Sequence, residues 1–339
     1  MYNNIFRTKP MDLFRKWVVA PPSRGVQELT SIGNVKDVTP GTVKEGLEPK
    51  KVELLKVNEA DRIRYINFIT MPYRPNALTF EVSATAKPGW VPVWYLPWQS
   101  MKMIEVSIDP VGGSPNAPLL EPDNPNNPGL FFTAAINGCS VFVRGQSMNP
   151  TVYHGGIDGK LNVDAAEFWE SCMAAVGTLD GTKNTKLQKG INRSAYVNDP
   201  KLGVDSFKTD TSVEFEKWLK EKKAGAVTIE AVYASGCVFG IRYGRNWSFY
   251  LQKSAQVKTT RVMKEADVDT SGRNPQVKGY SPATEATIVR EKTESTYWGF
   301  SSRTTYTAEM SHDRPMVIQE FYPSSTGIVK VADEVRIIR

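Results

Sequence analysis

Histidine and cysteine are scarce in this chain of 339 residues, which holds two histidines and three cysteines. An odd cysteine count with no Cys-x-x-Cys step excludes a disulfide framework and argues against a structural zinc site. Metal-spaced histidine clusters and Gly-rich phosphate loops are both missing, so neither a metal nor a nucleotide cofactor is expected. No run approaches the ~18 apolar residues that a membrane crossing needs, so no transmembrane segment is expected. The opening stretch MYNNIFRTKPMDLFRKWVVAPPS has no continuous apolar segment. A Sec-type signal is therefore not expected, and secretion would use a non-classical route.

Charge of one sign is lacking too. The 42 Lys and Arg against 36 Asp and Glu leave a net charge of +6, scattered along the chain rather than clustered. That pattern is a solvated, slightly basic surface, and no nucleic-acid partner is expected from it. Hydrophobic content of 40% over this length is enough to bury a core without staples.

Residues 1 to about 60 are polar and interrupted by Pro and Lys, with no sustained period. Residues 1–75 read as an N-terminal arm or small accessory element, and 76–339 as the main domain. Strands begin with ALTFEVSATA, VPVWYLPW and MKMIEVSI. Residues 109–129 then carry six prolines, a density that no helix or central strand survives. GLFFTAAI, GCSVFVRG and PTVYH read as three consecutive strands. Asp164 and Glu167 have capping-box spacing, and Ala165, Phe168, Trp169, Cys172 and Val176 share one helical face, with Gly177 as a stop. A second helix is expected from Thr211, with Phe215, Trp218 and Leu219 as its apolar stripe. The last third is mostly long alternating strands. Strands, two helices, then strands predict an α+β fold, with mixed or antiparallel sheets or a sandwich and helices packed outside.

The chemistry-bearing stretch is FFTAAINGCSVFVRGQSMNPTVYHGG, where His154 follows Cys139 by fifteen residues. Cysteine attacks as thiolate, and a neighbouring imidazole serves as its base. A strand, the turn GQSMNP and a returning strand set His154 opposite Cys139. Backbone N–H groups at Asn137 and Gly138 are placed to hold an oxyanion. Thr133 is the candidate for orienting the imidazole, with Asp158 and Asp164 as rivals. The competing account is structural: Cys139, Val141 and Val143 alternate on one face, and a small cysteine in a core strand is common. Cys172 reads as core. SGCVFGIRYG around Cys237 echoes the NGC stretch without a following His, and also reads as core. His312, in SHDRP, reads as a surface residue in a turn.

A Thr, a Gly-Cys six residues later and a His some fifteen beyond that resemble the deamidases that share the fold of the chemotaxis protein CheD. That superfamily includes the catalytic domains of cytotoxic necrotizing factors, dermonecrotic toxin and the Burkholderia lethal factor. The usual Ser-Gly-Cys is here Asn137-Gly138-Cys139, and the resemblance covers about 25 residues. It implies a bacterial toxin or effector that converts a protein glutamine to glutamate in the host cytoplasm. Cys139 would be the nucleophile and His154 the acid and base. Transglutamination stays open. The targets implied are Rho-type GTPases or a translation factor, chosen by the 109–129 loop and the 178–209 segment.

Two other readings stand beside it. A thiol peptidase uses the same pair. A non-enzymatic strand-rich binding or delivery module is suggested by the long last strands and by Trp90, Trp94, Tyr95 and Trp98, although aromatics so spaced are more often core. An ADP-ribosyltransferase is set aside, because Arg303, Thr304 and Thr305 match its pattern poorly and no Glu-x-Glu turn follows.

Overall fold

The structure is a computed structural model that describes residues 1–22, 31–38, 52–71, 74–112, 124–136, 139–156, 165–179, 189–191, 217, 227–278, 287–295, 302–323 and 329–330. The chain opens with α1 (Tyr2–Thr8), α2 (Pro10–Lys16), β1 (Val18–Val19), β2 (Ile32–Val38), β3 (Val52–Val57), β4 (Ile63–Met71), β5 (Arg74–Ser83), β6 (Val91–Leu96) and β7 (Lys102–Ser107). It continues through β8 (Leu130–Thr133), β9 (Ser140–Arg144), β10 (Thr151–Gly155), α3 (Ala165–Leu179) and β11 (Lys189–Ile191). The last third is β12 (Val227–Tyr243), β13 (Asn246–Met263), β14 (Val268–Asp269), β15 (Gln276–Val277), β16 (Thr287–Ser295), β17 (Ser302–Tyr322) and β18 (Val329–Lys330). This is the α+β class read from the sequence. Of the expected second helix only Lys217 is among the described residues, and it is helical; α3 runs two residues past Gly177.

Two large mixed sheets form. One has ten strands, in the order β1-β5-β4-β6-β8-β12-β13-β17-β16, with β18 on β17; the other has six, β11-β9-β10-β7-β3-β2. A third pairs only β14 with β15. Most neighbours are antiparallel, while β1/β5, β6/β8 and β3/β7 are parallel.

The sheets stack face to face. Leu55, Ile104, Val141, Val143 and Val152 of the smaller sheet meet Trp94, Leu96, Phe131, Val238, Phe249 and Leu251 of the larger one in a single buried cluster. Each sheet is also covered on its far side. α1 and α2 bring Phe6, Leu13 and Phe14 onto Phe68, Phe132 and Phe239. α3 brings Phe168, Trp169, Cys172, Met173 and Val176 onto Met103, Phe142 and Tyr153. The layers are therefore helix, sheet, sheet, helix. Sheets buried on both faces need strands without a wet side, and β6, β8 and β9 are buried along their whole length. Each Val or Phe so buried contributes roughly 1.5–3 kcal/mol relative to exposure.

The N-terminal segment does not stand apart as an arm. Gln252 in β13 accepts from the Val19 N–H at 2.9 Å and donates to the Phe14 and Trp17 carbonyls at 2.5 and 2.8 Å. One buried amide thus ties α2 and β1 to the larger sheet. β3 and β4 are strands of the two sheets, so no packing boundary falls near residue 75. The polar look of the first 60 residues hides this because their buried positions, from Phe6, Leu13 and Phe14 to Val52, Leu54 and Val57, are scattered among polar residues. No helix among the described residues is long and apolar enough to cross a membrane.

Candidate active site

Cys139 immediately precedes β9, and His154 is the fourth residue of β10. The two strands pair antiparallel, with His154 against Val141 and Gly155 against Ser140. Continued one step past the last pair, this register would set Gly156 against Cys139. The expectation that His154 lies directly opposite Cys139 is therefore corrected by two residues.

The offset is even, so the two side chains still share a face. Cys139, Val141, Val143 and Val152 all belong to the cluster between the sheets. Phe142 and Tyr153, the intervening residues, point to α3. Alternation thus aims Cys139 and His154 together into the sandwich. Diagonal cross-strand neighbours have Cα atoms roughly 7–8 Å apart and side chains closer still, a span within reach of an imidazole.

His154 is fully buried, and neither ring nitrogen has a hydrogen-bond partner among the described residues. Burial pushes its pKa down to about 3, with the Pro97 carbonyl acting weakly in the opposite direction. The ring is neutral at physiological pH, with one nitrogen able to donate and one able to accept. The Pro97 carbonyl follows β6 and makes no hydrogen bond of good geometry to the ring, yet it is placed to influence which nitrogen holds the proton. Nothing in VPVWYLP signals this role, because it arises only when the larger sheet packs over β10.

Thr133 does not orient the imidazole in this structure. It ends β8 in the larger sheet, paired with Leu96, and its hydroxyl donates to the Ala134 carbonyl at 2.8 Å. A β-strand threonine can satisfy its hydroxyl locally, and this one does. Asn137, Gly138, Asp158 and Asp164 lie outside the described residues, as do most of the 109–129 loop and the 178–209 segment.

The other cysteines are core, as read. Cys172 lies on the inner face of α3, and burial pushes its thiol up to about 12. Cys237 lies beneath α1 and α2, and burial raises its pKa well above the ordinary value. None of the three thiols is in a disulfide. His312 is not in a turn. It lies within β17 against Val257, half-buried, with Nε2 3.3 Å from the Thr259 hydroxyl. The turn reading failed because Pro315 sits at a register shift between β13 and β17, where the strand continues past it. Trp94 and Tyr95 are buried, and the Trp94 indole donates to the Pro128 carbonyl at 3.0 Å, so these two aromatics are core.

No protein-family model matches this chain, and a search of curated proteins finds no significant match.

Proposed function

We propose that this protein is a cysteine-dependent protein glutamine deamidase, with Cys139 as nucleophile and His154 as base and acid. One observation supports the reading above others. A fully buried histidine with no hydrogen-bond partner among the described residues faces the same interior as Cys139 from the adjacent strand. Burying an unsatisfied polar group costs about 1–3 kcal/mol. An apolar side chain would avoid this cost, which favours a use for the ring beyond packing.

The chemistry follows from the pair. Neutral His154 takes the proton of the Cys139 thiol as sulfur bonds to the side-chain carbonyl carbon of a glutamine. The carbonyl electron pair moves to oxygen. On collapse the C–N bond breaks, and the nitrogen leaves as ammonia with the proton from His154. His154 then removes a proton from water as its oxygen bonds to the thioester carbon; on collapse the C–S bond breaks and His154 returns the proton to sulfur. The product is glutamate. An amine in place of water gives transglutamination. The resemblance of the Thr-Gly-Cys-His spacing to bacterial toxin deamidases supports a host protein as substrate, a Rho-type GTPase or a translation factor, reached by a non-classical route of secretion.

The test is a limiting dose of iodoacetamide on native protein, wild type beside His154→Ala, read by peptide mass. Cys139 should label faster than Cys172 and Cys237 and lose that advantage in the variant. Three equally slow thiols in both proteins would overturn the reading and favour a strand-rich binding module. Candidate substrates would then separate the two enzymatic readings: deamidation adds about one mass unit at a glutamine and releases ammonia, whereas a thiol peptidase cleaves the backbone.

A further inference from the structure

Gly155 and Gly156 end β10 with no side chains, and each makes room for a tryptophan. A methyl group at Gly155 would come within 2.6 Å of the Trp169 ring, on the α3 side. A methyl group at Gly156 would collide with Trp98 Nε1 and the Gln99 carbonyl, and would lie 2.7 Å from Trp98 Cδ1. Alternation places that second slot on the opposite face, toward the interior shared by Cys139 and His154. Trp98 packs against the same cluster. The ladder holds this arrangement, since Gly156 donates to the Lys102 carbonyl at 3.1 Å and accepts from the Met101 N–H at 2.9 Å.

Gly156 follows the last β10–β9 pair, Gly155–Ser140, and continuing that register by one step would set it opposite Cys139. Facing Cβ positions on such strands are roughly 5 Å apart. The N–H edge of the Trp98 indole therefore fills the place of a side chain facing Cys139. That Nε1 is buried and has no hydrogen-bond partner among the described residues. An indole nitrogen only donates, and leaving a buried donor unused is costly. Trp94 shows a satisfied indole, its N–H bonded to a carbonyl, while the Trp169 and Trp247 N–H groups, like that of Trp98, have no hydrogen-bond partner among the described residues.

We propose that the Trp98 indole N–H is a further catalytic group, donating to the oxygen of the carbonyl that Cys139 attacks. As sulfur bonds to carbon and the electron pair moves to oxygen, a fixed donor already desolvated beside the thiol stabilises the developing charge. The glycine at 156 is what lets the ring reach that place. The assignment rests on Cys139 being the nucleophile, and adds a side-chain donor to the backbone amides.

Two reagents separate the ideas without a known substrate. p-Nitrophenyl acetate acylates Cys139 through a tetrahedral oxyanion and releases p-nitrophenolate, while iodoacetamide alkylates it by displacement with no oxyanion. Both rates would be read at Cys139 in wild type, in Trp98→Phe, and in protein carrying 3-benzothienylalanine at position 98, which keeps the ring shape and replaces N–H by sulfur. The expected result is a loss of acylation of roughly 10²-fold in both variants, with alkylation within threefold of wild type. Acylation that stays within threefold in the benzothienyl protein, while alkylation is normal, overturns the role of Trp98 and leaves the deamidase reading standing. A Cys139 that is slow to alkylate in wild type and insensitive to His154→Ala overturns both. Equal losses of acylation and alkylation in both variants would show that Trp98 only shapes the site, and would also overturn the proposal.

Discussion

Two Gly-Cys steps occur in similar local sequence, Cys139 just before β9 and Cys237 in the middle of β12, and the fold treats them differently. Cys139 faces the interior between the sheets, with His154 on the next strand sharing that face. Cys237 faces out of the larger sheet toward α2, where Phe14 stacks on Phe239 with ring centroids 3.5 Å apart. Its cross-strand partner is Gln252, whose amide is committed to the Phe14 and Trp17 carbonyls and to the Val19 N–H. Around Cys237 the polar partner is spent on structure. Around His154 the polar atoms are left open. Similar local sequences thus give two buried thiols, one backed by a committed amide and one sharing a face with a buried imidazole, and the difference lies in what the next strand and the covering layer bring.

The sharpest way to break this contrast is to exchange the thiols' fates. Cys139→Ala should abolish turnover, a loss of roughly 10⁴-fold or more when nucleophile and base act as a unit. Cys237→Ala should keep activity within a few-fold. Ammonia release from a glutamine substrate measures both, and comparable losses in the two variants would erase the distinction.

Phe14→Ala tests the structural side. Truncating a buried phenylalanine costs about 3–5 kcal/mol, and urea unfolding should show it. In the folded fraction, alkylation of Cys237 should rise while that of Cys139 stays put.

His154→Leu sets function against stability. Removing a buried, unsatisfied imidazole for an apolar side chain of similar size should stabilise the protein by about 1 kcal/mol while activity falls to the level of Cys139→Ala. A loss of stability above about 2 kcal/mol in urea would mark His154 as structural.

The pH dependence separates the sites again. The folded His154 pKa is depressed to about 3, so between the ordinary histidine value near 6.5 and pH 3 the unfolded chain binds the extra proton. Stability from neutral burial is full above pH ~6.5 and falls on acidification, by up to about 1.4 kcal/mol per unit. His154→Leu should flatten that arm. Cys237 and Cys172 are raised, so their contribution is full below the ordinary thiol value and is lost as pH rises above it. Cys237→Ala should reduce the slope of the alkaline arm, leaving the share of Cys172 in place, and leave the acid arm alone. The direct stability change from Cys237→Ala, about 1 kcal/mol, is the smallest of these effects.

Much of the fold was legible because its signals are local. Alternation marked β5, β7 and β9, and the apolar stripe from Phe168 to Val176 marked α3. The burial of Cys172 followed from that stripe alone. The place of residues 1–19 was not legible, because two helices of seven residues each carry too few apolar positions to show a period. Their seat depends on Gln252, more than two hundred residues away. His312 was misread for a similar reason: a Pro beside a charged pair looks like a turn until a register shift lets the strand pass through it.

At the site, the sequence by itself determined the strand-turn-strand that brings Cys139 and His154 to one face, since a period of two and a short turn leave little freedom. It also determined that the chain has few chemical groups to spend, which made that pairing conspicuous. Only the tertiary structure decided the rest. The two-residue offset between Cys139 and His154 comes from the register of β9 on β10. The neutral state of the imidazole comes from a second sheet that removes water from it. The Pro97 carbonyl and the Trp98 indole reach the site because β6, in one sheet, leads straight into β7, in the other, and the crossing residues pass over the end of β10. Local pattern sets which way a side chain points. The solvent it loses and the distant groups it meets are set by layers joined across the whole chain.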